Sequence, residues 1–261
     1  MHIALTIAGS DSSGGAGIQA DLKTFQAHGV FGMSAITAVT VQNTQKVYDI
    51  QEMAPAIVKG QIVHLFEDTA IHAVKIGMVS STPLVTAIAE ALADAPSLPP
   101  VVLDPVMISK SGYCLLKPEA RTALVERLFP LAEIVTPNTH EAELLAGFPI
   151  KTMDDMKAAA EAMIGLGAAR AVIKGGHIEG TEAVDVFYDG KTFETLSRPR
   201  IDTRNTHGTG CTFSSALAAN RALGRGFFES ANRAKDYITR AIAQAPSIGK
   251  GSGPLNHMVS A

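Results

Sequence analysis

Residues 72–106 read HAVKIGMVSSTPLVTAIAEALADAPSLPPVVLDPV, and their pattern decides the fold. Two short apolar runs, HAVKIGM (72–78) and PVVLDPV (100–106), flank TPLVTAIAEALADA (82–95), whose apolar residues recur at helical spacing. A strand that alternates apolar and polar residues has one wet face. These runs scarcely alternate, so they read as strands buried on both faces, and the helix between them is the crossover that joins parallel neighbours.

The same unit repeats in both directions. IALTIAG (3–9), SAITAVTVQN (34–43), EIVTPN (133–138) and RAVIKGG (170–176) read as further strands. AGIQADLKTFQAHG (16–29), APAIVKGQIVHLFED (54–68), PEARTALVERLFP (118–130), HEAELLAG (140–147) and MDDMKAAAEAMIGLGA (153–168) carry helical periodicity. Later, AVDVFYDGKTFETLS sets Asp189-Gly190 between two alternating runs, a strong hairpin signal that predicts an antiparallel edge. Helices follow over roughly 211–223 and 228–245. The pattern predicts an α/β protein: one domain over 1–261, with a mostly parallel sheet covered by helices on both faces.

Composition narrows the function. The chain has 261 residues, 46% of them hydrophobic and 18% charged, enough for a large core. The formal net charge of −3, with no basic cluster, argues against a nucleic-acid surface. The start, MHIALTIAGS, lacks the basic lead of a signal peptide, and no run reaches the ~18 apolar residues that span a bilayer. Two cysteines suit a reducing cytoplasm, and Cys114 reads as a small, partly buried apolar residue.

In an open α/β sheet, ligands gather beyond the carboxyl ends of the strands. The chemically suggestive residues fall there: Gly9 to Gly17, Gln42, Met78, Asp104, Asn138 to Glu141, Lys174 to His177, and NTHGTGCTFSSALAA (205–219). In the last of these, Gly208 and Gly210 allow successive backbone N–H groups to converge just where a helix begins. Free N–H groups and a positive helix end make an anion site suited to a phosphoryl group. The plain alternative is an ordinary helix entry capped by Thr209 or Thr212. Cys211 tips the balance, because a helix N-terminus is expected to favour its thiolate. His207 is a possible assistant.

Neither Gly-x-x-x-x-Gly-Lys-Ser/Thr nor a strand followed by Gly-x-Gly-x-x-Gly occurs, so any nucleotide site is of another design. AGSDSSGGAGIQAD (8–21) reads as a substrate loop in which Asp21 reaches a hydroxyl or ammonium group, or else as a flexible turn. Asn138-x-x-Glu141 fits either a magnesium site or a helix capping box. Asp104 and Lys174 each end a strand, one as a cleft carboxylate and the other as a phosphate-neutralising cation.

Taken together, GSDSSGGAGIQADLKTF, VQNT, KIGM, VLDPVM, TPNTHEAELL, VIKGGH, DTRNTHGTGCTFSSALAA and GPLNH resemble the hydroxymethylpyrimidine/phosphomethylpyrimidine kinases of thiamin biosynthesis, in the ribokinase superfamily. The resemblance runs over nearly the whole chain, and THGTGCTFSSA is its most specific part. It implies a three-layer αβα fold, ATP and Mg2+, a small pyrimidine substrate phosphorylated on its hydroxymethyl group and again on the monophosphate, and a homodimer. By the same resemblance, Gly208, Thr209, Gly210 and Cys211 form the anion hole, with Cys211 as the base. Asn138, Glu141 and Asp104 serve magnesium and nucleotide, and Lys174 meets the nucleotide phosphates. Gln42 reads the pyrimidine, and Gly9, Asp21, Met78 and Val106 line its pocket. Two rival readings are a pyridoxal kinase and a non-catalytic vitamer sensor.

Overall fold

The computed structural model describes residues 1–108, 112–176 and 180–261. Inside the sheet, strand β1 (Ile3–Ser10) pairs in parallel with β2 (Phe31–Gln42) on one side and β4 (Ala73–Ile76) on the other. From β4 the parallel sheet continues through β5 (Val101–Leu103), β6 (Ile134–Val135) and β7 (Arg170–Lys174). The hairpin β8 (Glu182–Tyr188) and β9 (Phe193–Pro199) closes one edge antiparallel, turning at Asp189-Gly190. The other edge is β3 (Val47–Glu52), antiparallel to β2. Among the described residues, nine strands run in the order β3-β2-β1-β4-β5-β6-β7-β8-β9. β3 is an addition to the sequence expectation. Its residues VYDIQE alternate, but mostly polar side chains face outward at an edge, so it carries little apolar signal.

Helices cover both faces. Helix α1 (Gly17–Ala27), α7 (Thr209–Ala222) and α8 (Phe227–Ala243) pack on one, where Phe25, Phe213, Leu217, Tyr237 and Ile238 join a single core with Val102, Ile134 and Val172. Helix α2 (Pro55–Asp68), α3 (Thr82–Ala93), α4 (Pro118–Leu128), α5 (Thr139–Ala146) and α6 (Met153–Gly165) supply the other. This is a three-layer αβα sandwich. The inner strands are buried on both sides, which explains their unbroken apolar character: every residue of β4, β5 and β6 is buried. No helix among the described residues is long and apolar enough to cross a membrane.

One inner-strand residue breaks the pattern. Lys75, in the middle of β4, is fully buried, and its ammonium donates to both oxygens of Asp21 at 3.0 and 2.9 Å. Asp21 also accepts from Thr6 Oγ1 at 2.6 Å and Ser215 Oγ at 2.7 Å. Four elements, β1, α1, β4 and α7, thus meet on one carboxylate.

β1 and β4 are parallel neighbours, but the sheet grows outward from β1 through β2 to β3 and then in the opposite sense from β4, leaving a crevice at the carboxyl ends of β1 and β4. Into it project the loop after β1 and the start of α7, and the two interlock. Gly208 has φ +82°, and a Cβ there would stand 1.8 Å from Gly15 O; Gly17 has φ +55°, with Gly9 O only 2.3 Å from any Cβ. Glycine is required at both positions by conformation and by space.

Candidate active site

A cavity of about 640 Å³ occupies this crevice and extends under the β8–β9 hairpin. Its centre is the N-terminus of α7. Gly208, in the left-handed conformation, is the N-cap, and no side chain caps the helix. The two threonines that could have done so are engaged elsewhere: Thr209 Oγ1 donates to Thr206 O at 2.8 Å, and Thr212 Oγ1 pairs with His257 Nε2 at 2.9 Å. The Thr209 N–H bends back to Thr206 O at 3.4 Å, and the helix presents its remaining first-turn N–H groups and positive end to the cavity. It begins at Thr209, two residues before Cys211, because Gly208 rather than a side chain starts it.

Facing this end is a cation. Lys174, at the end of β7, donates to Asp104 Oδ1 at 2.8 Å, and Thr136 Oγ1 donates to the same oxygen at 3.2 Å. Burial disfavours the Lys174 charge, but Asp104 and Glu141 outweigh it and raise the pKa, so the ammonium persists. Gly210 leaves the space between helix and cation open. A Cβ at that position would sit 3.3 Å from both Asp104 Oδ2 and Lys174 Nζ.

Asn138 and Glu141 form a complete capping box at the start of α5. Asn138 Oδ1 accepts from Glu141 N at 2.9 Å, and Glu141 Oε2 accepts from Asn138 N at 2.8 Å. Both also line the cavity, so capping and ligand contact are compatible. Burial pushes the Glu141 carboxyl up to about 7, with Lys174 pulling it down and Asp104 adding to the rise.

Toward β1 and β2 the cavity wall is apolar. Met78 and Leu115 pack with Ala38, Ile50 and Val106, and Gly9 lies against the Met78 sulfur. Gln42 rims this end, its amide near His207 and Thr40. Cys211, in the first turn of α7, lines the cavity between the apolar end and Lys174.

Three expectations need correction. Asp21 does not line the cavity. Fully buried beneath it, Asp21 reaches an ammonium and hydroxyls that are the protein's own, those of Lys75, Thr6 and Ser215. The Cys211 thiol is not pushed toward thiolate. Burial drives it up to about 11, Asp21 and Asp104 add to the rise, and the opposing pull of Lys75 and the Gly17 N–H is too weak to reverse it. Cys114 is exposed, with its thiol donating to Leu116 O at 3.1 Å. His177 lies outside the described residues.

Other residues of the site escaped the sequence reading. Asp11 accepts from Ser13, Gly15 and Ala16 and pairs with His207 at 2.8 Å, joining the two glycine-rich loops. At the far end of the cavity, Lys235 of α8 donates to Asp185 Oδ2 at 2.7 Å, and Asp185 Oδ1 accepts the Gly175 N–H at 3.0 Å. The available signal was a charged residue inside an otherwise apolar strand, as for Asp185 in AVDVFY and Lys75 in HAVKIG.

An uncapped helix end opposed by a half-buried lysine, at the switch point of a ribokinase-like αβα sandwich, defines a small-molecule kinase. The sequence profile of the phosphomethylpyrimidine kinases matches residues 11–256. The hydroxymethylpyrimidine/phosphomethylpyrimidine kinase of Rhizobium meliloti (strain 1021) is 49% identical over 258 residues, 98% of this chain and 96% of its own. The crystal structure of a phosphomethylpyrimidine kinase from Clostridium difficile 630 is 49% identical, superposes with a TM-score of 0.82, and is covered over 93% of this chain and 100% of its own. An ADP complex of Bacillus subtilis pyridoxal kinase is 42% identical with a TM-score of 0.90, over 98% of this chain and 97% of that one. The chain belongs to the phosphomethylpyrimidine kinase family.

Proposed function

We propose that this chain, acting as a single kinase domain over 1–261, transfers the γ-phosphoryl group of ATP to the hydroxymethyl group of 4-amino-5-hydroxymethyl-2-methylpyrimidine, and then phosphorylates the monophosphate, in thiamin biosynthesis. The observation that carries this reading is the uncapped α7 N-terminus, open at Gly210, directly across from Lys174.

Phosphoryl transfer through a loose transition state needs positioning and charge neutralisation more than covalent help. The first-turn N–H groups at Gly208 to Cys211 and the Lys174 ammonium provide positive poles for the transferring group. Met78, Val106 and Leu115 hold the ring by its apolar faces, and Gln42 offers a donor and an acceptor to its edge. Cys211 is the group beside the attacking hydroxyl and takes its proton late. The Cys211 thiol holds a proton in the free protein, so it serves as base only in its minor thiolate form, after giving that proton to solvent; the small demand for a base in such a transition state accommodates this.

Asp104 and Glu141 fit a magnesium ion. They are two carboxylates beside the phosphoryl cradle, and no cluster of three or more metal-binding side chains exists among the described residues. That suits a cation that keeps several waters and binds largely through nucleotide phosphates. Mg2+ bound there would neutralise charge on the phosphate oxygens. Asn138 fixes Glu141 through the capping box, so the carboxylate is oriented by the helix it starts.

The test is kcat/KM with ATP for hydroxymethylpyrimidine and for pyridoxal. A clear preference for the pyrimidine is expected. A preference for pyridoxal would favour the second reading, which the likeness to the Bacillus subtilis enzyme motivates, and no turnover of either would favour the sensor. A cytoplasmic homodimer is part of the proposal. Its support is two free cysteines and the exposed Val39, Val41 and Tyr48 on the β2–β3 edge, 46%, 58% and 51% accessible. Light scattering at twice the chain mass is the expected result.

A further inference from the structure

The Gln42 amide is bracketed by two groups whose hydrogen-bonding sense is already decided. One end of the amide lies 3.1 Å from His207 Nε2, and the other lies 3.5 Å from Thr40 Oγ1. Amide oxygen and nitrogen are almost the same size, so their order follows from what surrounds them.

Thr40 has one hydroxyl proton. Its Oγ1 lies 2.8 Å from Ser10 O, a carbonyl that can only accept, so the proton is spent there and Thr40 meets Gln42 as an acceptor. His207 Nε2 lies 2.8 Å from Asp11 Oδ2. Asp11 also receives the Ser13, Gly15 and Ala16 N–H groups and the Ser13 hydroxyl. Burial would raise the Asp11 pKa, but His207 and Ser13 bring it to about 2, so it is a carboxylate with no proton to give. The Nε2 proton must therefore reside on His207. With that proton in place, Nε2 has no lone pair in the ring plane, and an N–H of Gln42 cannot bond to it. An amide with nitrogen toward His207 and oxygen toward Thr40 fails both contacts. The reverse order satisfies both, the histidine proton being shared by Asp11 and the Gln42 oxygen.

We infer that the Gln42 amide is held with its oxygen on the His207 side and its NH2 on the Thr40 side, and that His207, anchored by Asp11, is the positioning residue that fixes this order. The anchoring is rigid. His207 N donates to Gly253 O at 3.0 Å, its backbone bridges to Pro254, and its ring lies so close to Gly15 that a Cβ there would meet Cδ2 at 2.6 Å.

The consequence is specificity, and this part rests on the kinase reading above. One N–H and one oxygen lone pair of Gln42 remain for a ligand, in an order that cannot be reversed. A ring nitrogen beside an exocyclic amine, an acceptor next to a donor, matches such a pair. A ring bearing an oxygen in place of the amine does not match a fixed amide, but would be met by one free to turn over.

Neutron diffraction from a perdeuterated crystal of the ligand-free protein tests the order without reference to activity. Deuterons are expected on His207 Nε2 and on the Gln42 atom nearer Thr40. An ND2 group on the His207 side, or an undeuterated Nε2, would overturn the inference. The kinetic arm uses His207→Phe, which keeps a ring but loses the donor, and His207→Gln, which keeps an N–H at similar reach. The ratio of kcat/KM for hydroxymethylpyrimidine over pyridoxal should fall about tenfold in the first, the worth of one hydrogen bond, and stay near wild type in the second. An unchanged ratio in His207→Phe, or equal losses in both variants, would count against the lock. Should the wild-type chain phosphorylate neither compound, the kinase reading fails while the neutron result still decides the amide order.

Discussion

Replacing Lys75 with methionine removes a charge while keeping the length and most of the volume of the side chain. In the native protein the Lys75–Asp21 pair is completely excluded from solvent. The variant leaves the Asp21 carboxylate buried with only the Thr6 and Ser215 hydroxyls for partners. Breaking a buried pair in this way costs about 3–5 kcal/mol, because the surviving charge keeps its desolvation penalty and loses its counter-ion. For a chain of this size, 1 kcal/mol is worth about 2–4 °C, so Tm should drop by about 6–20 °C. The chain contains no tryptophan, so urea unfolding is best followed by far-UV circular dichroism. Asp21→Asn should cost a similar amount by stranding the ammonium. The double variant should be more stable than the sum of the two losses predicts, with a coupling of about 2 kcal/mol or more. A Lys75→Met loss under about 1 kcal/mol, or strictly additive effects, would refute the view that this pair holds β1, α1, β4 and α7 together.

Three further outcomes are expected. Cys211→Ala should lower kcat by roughly 10²–10⁴ with little change in ATP binding, and alkylation of the native thiol should be slow at pH 8 and rise steeply toward pH 11, whereas exposed Cys114 reacts first. Glu141→Gln preserves an oxygen for the capping box, so Tm should hardly move while the magnesium concentration needed for half-maximal rate rises; the opposite pattern would leave Glu141 as a cap alone. His28, pushed down to about 4 chiefly by burial, binds fewer protons folded than unfolded between pH 4 and 6.5. Its stabilising contribution is therefore complete above pH 6.5 and lost as the pH falls toward 4, on the order of 2 kcal/mol, and the Tm–pH profile of His28→Leu should be flatter across that window.

The sheet was legible because its inner strands are short apolar runs and its helices are periodic, two signals that need only local sequence. Edge strand β3 was not, since an edge has a single neighbour and half its side chains in water. The open helix start was legible for a similar reason: Gly208 to Cys211 is one contiguous stretch that carries its own backbone donors. The protonation of Cys211 was not. The helix end that favours a thiolate is adjacent in sequence, whereas the burial and the carboxylates that oppose it, Asp21 and Asp104, come from distant strands and helices. Asp21 was misplaced for the same cause, because its partner Lys75 lies 54 residues away. Where a group's behaviour is set by one turn of chain, sequence suffices, and where it is set by the sum of several remote charges, it does not.

The interlock of the Gly15 and Gly208 loops sets an order in time for the making of this protein. Asp11 and His207 are 196 residues apart, so on the ribosome the first half of the site waits for the second. At roughly 5–20 residues per second, that wait is about 10–40 s. Once Ile76 has emerged, strand β1 can pair with β2 and β4, while Asp11 and the carboxylate of Asp21 still lack the partners that α7 and its entry loop bring. The nascent chain thus holds a sheet before it holds a site, and phosphoryl transfer switches on only after the C-terminal fifth of the polypeptide has emerged and closed over the first loop.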